Sequence, residues 1–242
     1  MKIADRNDAT GHAVWDAYRG GWAFEVVERE DGYFLGGSVT QYLDEHARWP
    51  SHEKQSMRFV RGRVLDIGCC AGRHALYLQR KGFDVTPTDI SPLLLRIARL
   101  RGVKKTRLLS IDRIGAFRAA SFETILLLGN NFGLLENRRK ARRILRAMHA
   151  ITTPDGRIIA ESADPYRMKE RMSRQYRRLN ERRGRLPGQR RIRIRYREFT
   201  TKWFDYLGVS RSEMESLLEG TGWHLKRTFA SGGSPFIAII EK

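Results

Sequence analysis

The chain has 242 residues, 41% of them apolar and 30% charged, with a formal net charge of +19. That length suits one large α/β domain with additions and that apolar share can bury a core, while the longest apolar runs, such as Ile125-Leu126-Leu127-Leu128, are far too short to cross a bilayer. The opening Met1-Lys2-Ile3-Ala4-Asp5-Arg6 lacks the apolar core of a leader, and the only cysteines, Cys69 and Cys70, are adjacent, which excludes a disulfide framework and points to a reducing cytoplasm.

No internal repeat is evident. Residues 1–56 hold six Lys/Arg against ten Asp/Glu, a net of −4, interleaved with aromatics such as Trp15, Tyr18, Trp22, Tyr42 and Trp49. They read as short helices and loops that cap another body, not as an independent domain. From Val64 the pattern alternates. Strands are expected at 64–67, 84–87, 107–109, 124–128 and 157–160, and helices at about 72–81, 92–100 and 138–150. Ser91-Pro92 supplies an N-cap followed by proline at the first helical position. Gly82, Gly102 and Pro154-Asp155-Gly156 supply the stops. Strands alternating with helices imply a mostly parallel sheet covered on both faces, here a core over residues 57–164.

After Asp164-Pro165-Tyr166 the rhythm breaks. Between Arg167 and Arg197 stand thirteen arginines and Lys169 against Glu170 and Glu181, a net of +12 and most of the chain's excess. Residues 167–183 read as a basic helix ended by Gly184 and Pro187-Gly188. Arg191-Ile192-Arg193-Ile194-Arg195-Tyr196-Arg197 then alternates strictly, giving a strand one apolar and one arginine face. We read 165–208 as an insertion. In 209–242, Ser210 caps a helix through Leu218, and strands at 223–229 and 235–241 lie close enough to form an antiparallel hairpin that completes the core sheet.

The chemistry concentrates in Val64-Leu65-Asp66-Ile67-Gly68-Cys69-Cys70-Ala71-Gly72-Arg73-His74. A strand ends in an acid, a glycine-punctuated turn follows, and a helix begins. Gly68 permits the turn, Gly72 is expected to let the backbone approach a ligand, and loop amides at a helix start favour polar or anionic groups. Asp89 lies 23 residues after Asp66, at the end of the next strand, where a βαβ unit sets a carboxylate beside the same loop to accept from ribose hydroxyls. Taken alone, the loop fits an ordinary βα turn with Asp89 facing solvent; loop, spacing, acidic strand end and alternation together favour a ligand. A dinucleotide fingerprint needs glycines at its first, third and sixth positions. Those positions hold Gly68, Cys70 and Arg73, which disfavours a nicotinamide enzyme.

The spacing instead resembles the class I (Rossmann-like) S-adenosylmethionine-dependent methyltransferases. Their first motif, acidic-x-Gly-x-Gly-x-Gly, is similar to Asp66–Gly72. Phe83–Pro92 resembles their second motif, Phe122–Asn131 their fourth strand and Thr153–Ala160 the entry to their fifth. The resemblance implies a doubly wound, seven-stranded, mostly parallel sheet with an antiparallel C-terminal hairpin, an N-terminal cap and an inserted basic helix–strand lid. It implies S-adenosylmethionine as cofactor, S-adenosylhomocysteine as product and no metal; the six histidines show no close ligand spacing. Carried over residue by residue, Gly68, Cys69 and Gly72 would line the methionine part, with Asp66 near its ammonium. Asp89 would hold the ribose, Ile90 would pack on adenine, and Gly129 and Asn130 would lie near the methyl donor. Two positions depart from the pattern. Cys70 replaces the middle glycine, so its side chain must point away from the ligand or the loop must shift. Ile111 falls in the third motif's acidic slot, with Asp112 beside it as the substitute. His74 reads as a structural helix residue.

Several acceptors are disfavoured. Carbon-5 pyrimidine methylation needs a cysteine nucleophile, and both cysteines lie in the cofactor loop. Asn130-Asn131-Phe132-Gly133 lacks the prolines of adenine amino-methylases and the acid of ribose 2′-hydroxyl enzymes. No catalytic residue is assigned; Tyr18, Trp22, Tyr42, Asn130, Asn131, Glu161, Asp164 and Tyr166 are candidates to line the acceptor site. For Tyr18, Trp22 and Tyr42 the competing reading is core packing of a lid, and for Asp164 a helix cap. The expected function is methyl transfer to a small molecule. Two alternatives stay open: an RNA methyltransferase gripping phosphates through Arg167–Arg197, and a nucleotide-binding protein without transfer activity. The basic segment has few aromatics for base stacking, and it can instead close as a lid on the acidic start of the chain. No membrane partner is expected, and the oligomeric state is open.

Overall fold

The computed structural model of the chain describes residues 6–230 and 232–242; residues 1–5, read above for a leader, lie outside them. Helix α1 (Ala9–Tyr18) leads into a hairpin of β1 (Phe24–Arg29) and β2 (Phe34–Ser38), then into α2 (Ser51–Ser56). Alternation begins with β3 (Val64–Ile67), α3 (Arg73–Arg80), β4 (Val85–Asp89), α4 (Pro92–Leu100), β5 (Arg107–Leu108), β6 (Phe122–Leu127), α5 (Arg138–Ile151) and β7 (Thr152–Ala163). The chain closes with α6 (Arg171–Arg182), β8 (Gln189–Tyr196), β9 (Phe199–Thr200), β10 (Phe204–Leu207), α7 (Arg211–Leu218), β11 (His224–Ala230) and β12 (Pro235–Glu241).

The core is a seven-stranded sheet in the order β11-β12-β7-β6-β3-β4-β5; seven mostly parallel strands with an antiparallel C-terminal hairpin are what the resemblance implied. Strands β3 to β7 run parallel, and β12 is antiparallel to both its neighbours. Period-two alternation sends Leu65, Ile125 and Ile158 to one face, against Ile144, Leu145 and Leu217. Val64, Leu126 and Ile159 go to the other face, against Met57, Leu76 and Leu78. Each such burial contributes about 1.5–3 kcal/mol. Helices on both faces leave the carboxyl edge of the parallel strands open for ligands.

Three local expectations are corrected. β7 starts at Thr152, not at 157, because Pro154-Asp155-Gly156 does not stop the strand: the register jumps from Phe122↔Thr152 to Thr124↔Arg157, so the tripeptide is a bulge. A bulge tolerates a proline that lacks a ladder N–H. The basic helix begins at Arg171, because Asp164 first caps a short 3-10 turn at Pro165–Arg167 by accepting the Tyr166 amide. The opening segment contributes two strands as well as helices and loops; β2, Phe-Leu-Gly-Gly-Ser, is exposed throughout and shows no alternation from which to read it.

Those two strands join the arginine strand in a second sheet, ordered β10-β8-β1-β2 with β9 on β8. Glu28 pairs with Arg193 and Val26 with Arg195 across β1 and β8, and Asp205 with Arg191 across β10 and β8. The alternation therefore puts Arg191, Arg193 and Arg195 on the outer face. Glu28 accepts two hydrogen bonds from Arg193, at 2.7 and 2.9 Å, and a third from Arg195, while Arg191 lies 3.3 Å from Asp205. On the inner face Ile194 and Tyr196 pack with α1, Leu94, Ile97 and Ala71, which fastens the second sheet to α4 and the loop after β3.

Candidate active site at the carboxyl edge of the sheet

The strand order reverses at β3, whose neighbours β4 and β6 lead to opposite edges, and this opens a crevice beyond the strand ends. The loop there is held by its own amides. Gly68 and Cys69 donate to the Thr88 carbonyl at 2.9 and 3.0 Å, and Cys70 donates to Asp89 Oδ2 at 2.9 Å. Cys70 takes φ +51, the left-handed conformation a glycine would adopt. That conformation costs a side-chain-bearing residue about 1–2 kcal/mol, which the bond to Asp89 helps offset. Its side chain packs with the α1 cluster and Tyr42. Burial, then the neighbouring Asp89 charge, pushes both thiols well above their usual range, so neither is a ready nucleophile.

Gly72 has a different reason from the one expected. A Cβ there would lie 2.9 Å from Val103 Cγ2 and 3.1 Å from Ala98 Cβ, so its φ of +74 and its bareness serve the packing of the loop on α4. A Cβ on Gly68 would meet Asn131 Nδ2 at 2.6 Å. That amide donates to the Ile67 and Gly68 carbonyls, both at 2.9 Å, and makes Asn131 a staple of the loop.

Two buried carboxylates flank the loop. Asp66 is 2% exposed, and its Oδ2 has no partner among the described residues. Burial raises its proton affinity, opposed by the charges of His74 and Arg73. Behind it, burial works to raise the Glu53 carboxyl, but His74 and Arg73, the latter at 2.8 Å, outweigh it and hold Glu53 below its usual range. His74 is thus a structural partner of Glu53. Burial pushes Asp89 up to about 6 against the amides of Ser91 and Cys70, and the Asp8 charge adds to the rise. Asp8 caps α1 through the Gly11 amide and accepts the Ser91 hydroxyl at 2.5 Å, bringing the start of α1 to this edge. Beside Asp89, Ile90 on the loop and Leu108 on β5 are 73% and 59% exposed, an apolar surface next to two acids. Asp112 is occupied elsewhere: its carboxylate pairs with Lys140 at 3.0 Å and Arg143 at 2.6 Å on α5.

At the end of β6 the amides of Gly129 and Asn130 donate to Glu161 Oε2 at 2.7 and 3.3 Å, and His52 Nε2 stands 3.7 Å from Glu161 Oε1. Asn130 accepts from the Tyr206 hydroxyl at 2.7 Å through its backbone carbonyl, while its Oδ1 is buried without a partner among the described residues. From β1, Glu25 is 7% exposed and accepts from Tyr42 and Thr10, each at 2.9 Å. Burial raises Glu25 and, with the Glu25 charge, raises Tyr42 well above the usual phenol range. Burial raises Tyr206 also and lowers Arg190, whose guanidinium lies 5.8 Å from the Tyr206 ring. Tyr42 and Cys70 pack against the same cluster around α1, and the Tyr206 hydroxyl meets the Asn130 carbonyl, so the second sheet lies against the ends of β3 and β6.

The structure does not bring every expected acceptor-site residue there. Tyr18 is 38% and Trp22 83% exposed, the latter against Phe24. Tyr166 lies under Arg177 and donates to Glu213 at 3.2 Å, and Asp164 is a cap. Sequence reading missed Glu25, His52, Arg190 and Tyr206. The parity of residues 25, 27 and 29 along β1 is the one available signal, and it acts only once the inward face is known. Among the described residues no group of three or more metal-binding side chains converges.

A family profile described as "Methyltransferase domain" matches residues 65–160. A ubiquinone biosynthesis O-methyltransferase of Xanthomonas oryzae pv. oryzae is 30% identical over 101 residues, 40% of this chain and 41% of that one, so the match spans about two-fifths of the curated relative's length. A SAM-dependent methyltransferase of Bacteroides fragilis, crystallised with S-adenosyl-L-homocysteine, superposes with a TM-score of 0.83 at 25% identity, covering 98% of this chain and 96% of its own. A Burkholderia thailandensis 1,6-didemethyltoxoflavin-N1-methyltransferase shares the fold, with a TM-score of 0.54 at 18% identity over 84% of this chain and 80% of that one.

Proposed function

We propose, from the premise that the chain belongs to the class I, Rossmann-like S-adenosylmethionine-dependent methyltransferases, that it transfers a methyl group to a small-molecule acceptor in the chamber between loop and lid. The observation that carries this reading is a glycine loop at the switch point, flanked by two buried carboxylates of which one has an oxygen without a partner among the described residues. S-adenosylmethionine suits those groups: Asp66 Oδ2 would take the ammonium, Asp89 the ribose hydroxyls and the exposed Ile90 the adenine face, with Gly129 and Asn130 at the reacting end. When bound, that cofactor supplies an electrophilic methyl group on a sulfonium, and S-adenosylhomocysteine remains.

The chain's own residues then position and desolvate the acceptor. The lid sheet shuts out water, which strengthens every polar contact inside. Glu25, held by Tyr42 and Thr10, can take a proton from an acceptor hydroxyl or amine; Asn130 Oδ1 can accept a hydrogen bond from it. The Xanthomonas and Burkholderia relatives are named for small-molecule acceptors, which supports the same substrate class. The arginine strand supports it too, because its charges are matched on the outer face by Glu28 and Asp205.

Calorimetric titration with S-adenosylmethionine and S-adenosylhomocysteine should give saturable binding, and none at millimolar concentration would refute the reading. With methyl-labelled cofactor and a cell extract, label is expected in the small-molecule fraction. Label in RNA would favour the phosphate-clamp alternative, and binding with no label in any fraction would favour a nucleotide-binding protein without transfer.

A further inference from the structure

Outside that chamber, a cleft of about 500 Å³ opens between the start of α5, the turn before β8 and the first turns of α7. Its cations are Arg138, Arg139 and Arg185, and its acid is Glu213. Both Glu213 oxygens are engaged, one by the Ser210 amide at 2.8 Å and one by the Tyr166 hydroxyl at 3.2 Å. The arginines are poorly matched by comparison. Arg138 reaches only the Ser216 hydroxyl, at 3.5 Å, and Arg139 has no partner among the described residues. Arg185 lies 3.3 Å from Glu30, a carboxylate already shared by Arg183 and the Tyr176 hydroxyl.

The sequence of α5 is unusual at the same place. It begins Arg138-Arg139-Lys140 with no acid in its first turn, so three cations stand at the positive end of the helix dipole. Lys140 is neutralised by Glu136 and Asp112; Arg138 and Arg139 are not. A local conflict of this kind is expected where a ligand completes the charge balance. The cleft's volume fits a small organic ligand better than a lone ion, and the guanidinium fork matches phosphoryl oxygens.

We propose that this cleft binds a phosphorylated small molecule, whose phosphoryl group is held by Arg138, Arg139 and Arg185 and supported by the Ser212 and Ser216 hydroxyls. The site is independent of the methyl-transfer reading, since its ligand is detected without cofactor. The probe is inorganic pyrophosphate, titrated at constant ionic strength and followed by amide shifts in labelled protein. Saturable shifts are expected at 138–139, 184–189 and 212–216. The Arg138→Ala/Arg139→Ala variant should bind about tenfold or more weakly, and the charge-matched Arg171→Ala/Arg178→Ala variant, on exposed α6, should bind as the wild type does. Circular dichroism should show both variants folded. Equal losses in the two variants would overturn the proposal in favour of diffuse charge, as would shifts confined to other regions or no saturation at millimolar concentration. An oligoribonucleotide arm separates the other source of phosphate. Steeply salt-dependent binding lost in the α6 variant, with no shifts in the cleft, would mean a polyanion surface and would also overturn it.

Discussion

The loop after β3 and the second sheet are both rich in charge, and they treat it oppositely. On the second sheet, acids and arginines satisfy one another: Glu28 takes Arg193 and Arg195, Glu30 takes Arg183, and Asp205 takes Arg191. At the loop, Asp66 is buried with an oxygen that has no partner among the described residues, and Asp89 is held near a pKa of about 6 by burial. Paired charge there holds two distant segments together, whereas costly unpaired charge marks a place that a ligand completes. The arginines were the loudest feature of the sequence, yet most of their chemistry is internal.

Three measurements test that contrast. The largest effect is expected for Gly72→Ala, which places a methyl against Val103 and Ala98 at a positive φ. It should cost about 2–4 kcal/mol by denaturant unfolding, and a loss below 1 kcal/mol would show that the loop is not packed as described. Next is Asp89→Asn, which keeps the shape and removes the charge. S-adenosylmethionine affinity should fall roughly 10–100-fold by calorimetry. The pH dependence has a definite sign. With a folded pKa of about 6, Asp89 is protonated below and charged above, and only the carboxylate accepts fully from hydroxyl donors. Wild-type affinity should therefore rise as pH increases through about 6 and level off near 7, while the Asn variant stays flat.

The smallest effect belongs to the second sheet. Arg193, then Arg195, lowers Glu28 to about 2, so its contribution is present above the unfolded value of 4.5 and is lost as pH falls through about 2. Glu28→Gln should lower Tm by roughly 1–4 °C at neutral pH, a partly exposed pair being worth little, and the gap to wild type should close in acid. Cofactor affinity should not change; a loss as large as that of Asp89→Asn would erase the distinction between the regions.

Asp66, Gly68 and Asp89 were legible because a strand, a turn and a helix start are local patterns, and a βαβ unit fixes where the next strand end falls. Gly72 was legible as a necessary glycine but not for its reason, which lies in Ala98 and Val103. Asn131 stood among acceptor candidates and proved to be the staple of the loop, because its partners, Ile67 and Gly68, lie more than sixty positions earlier. Glu25 and Tyr206 were not singled out, the parity of β1 being a signal only once its inward face is known. Each is one polar residue in an unremarked short strand, and its role depends on which face turns inward.

The sequence by itself determined the alternating core, the order of chemistry along it and the two acids beside the glycine turn. These follow from periodicity, turn preferences and spacing, which act over a few residues to a few tens. Only the tertiary structure decided that β1 pairs with β8, that the arginines face outward onto Glu28 and Asp205, and that Tyr206 meets Asn130 at the end of β6. The reason is that a strand's alternation defines two faces but not which one is buried, and that choice is made by a partner distant in the chain.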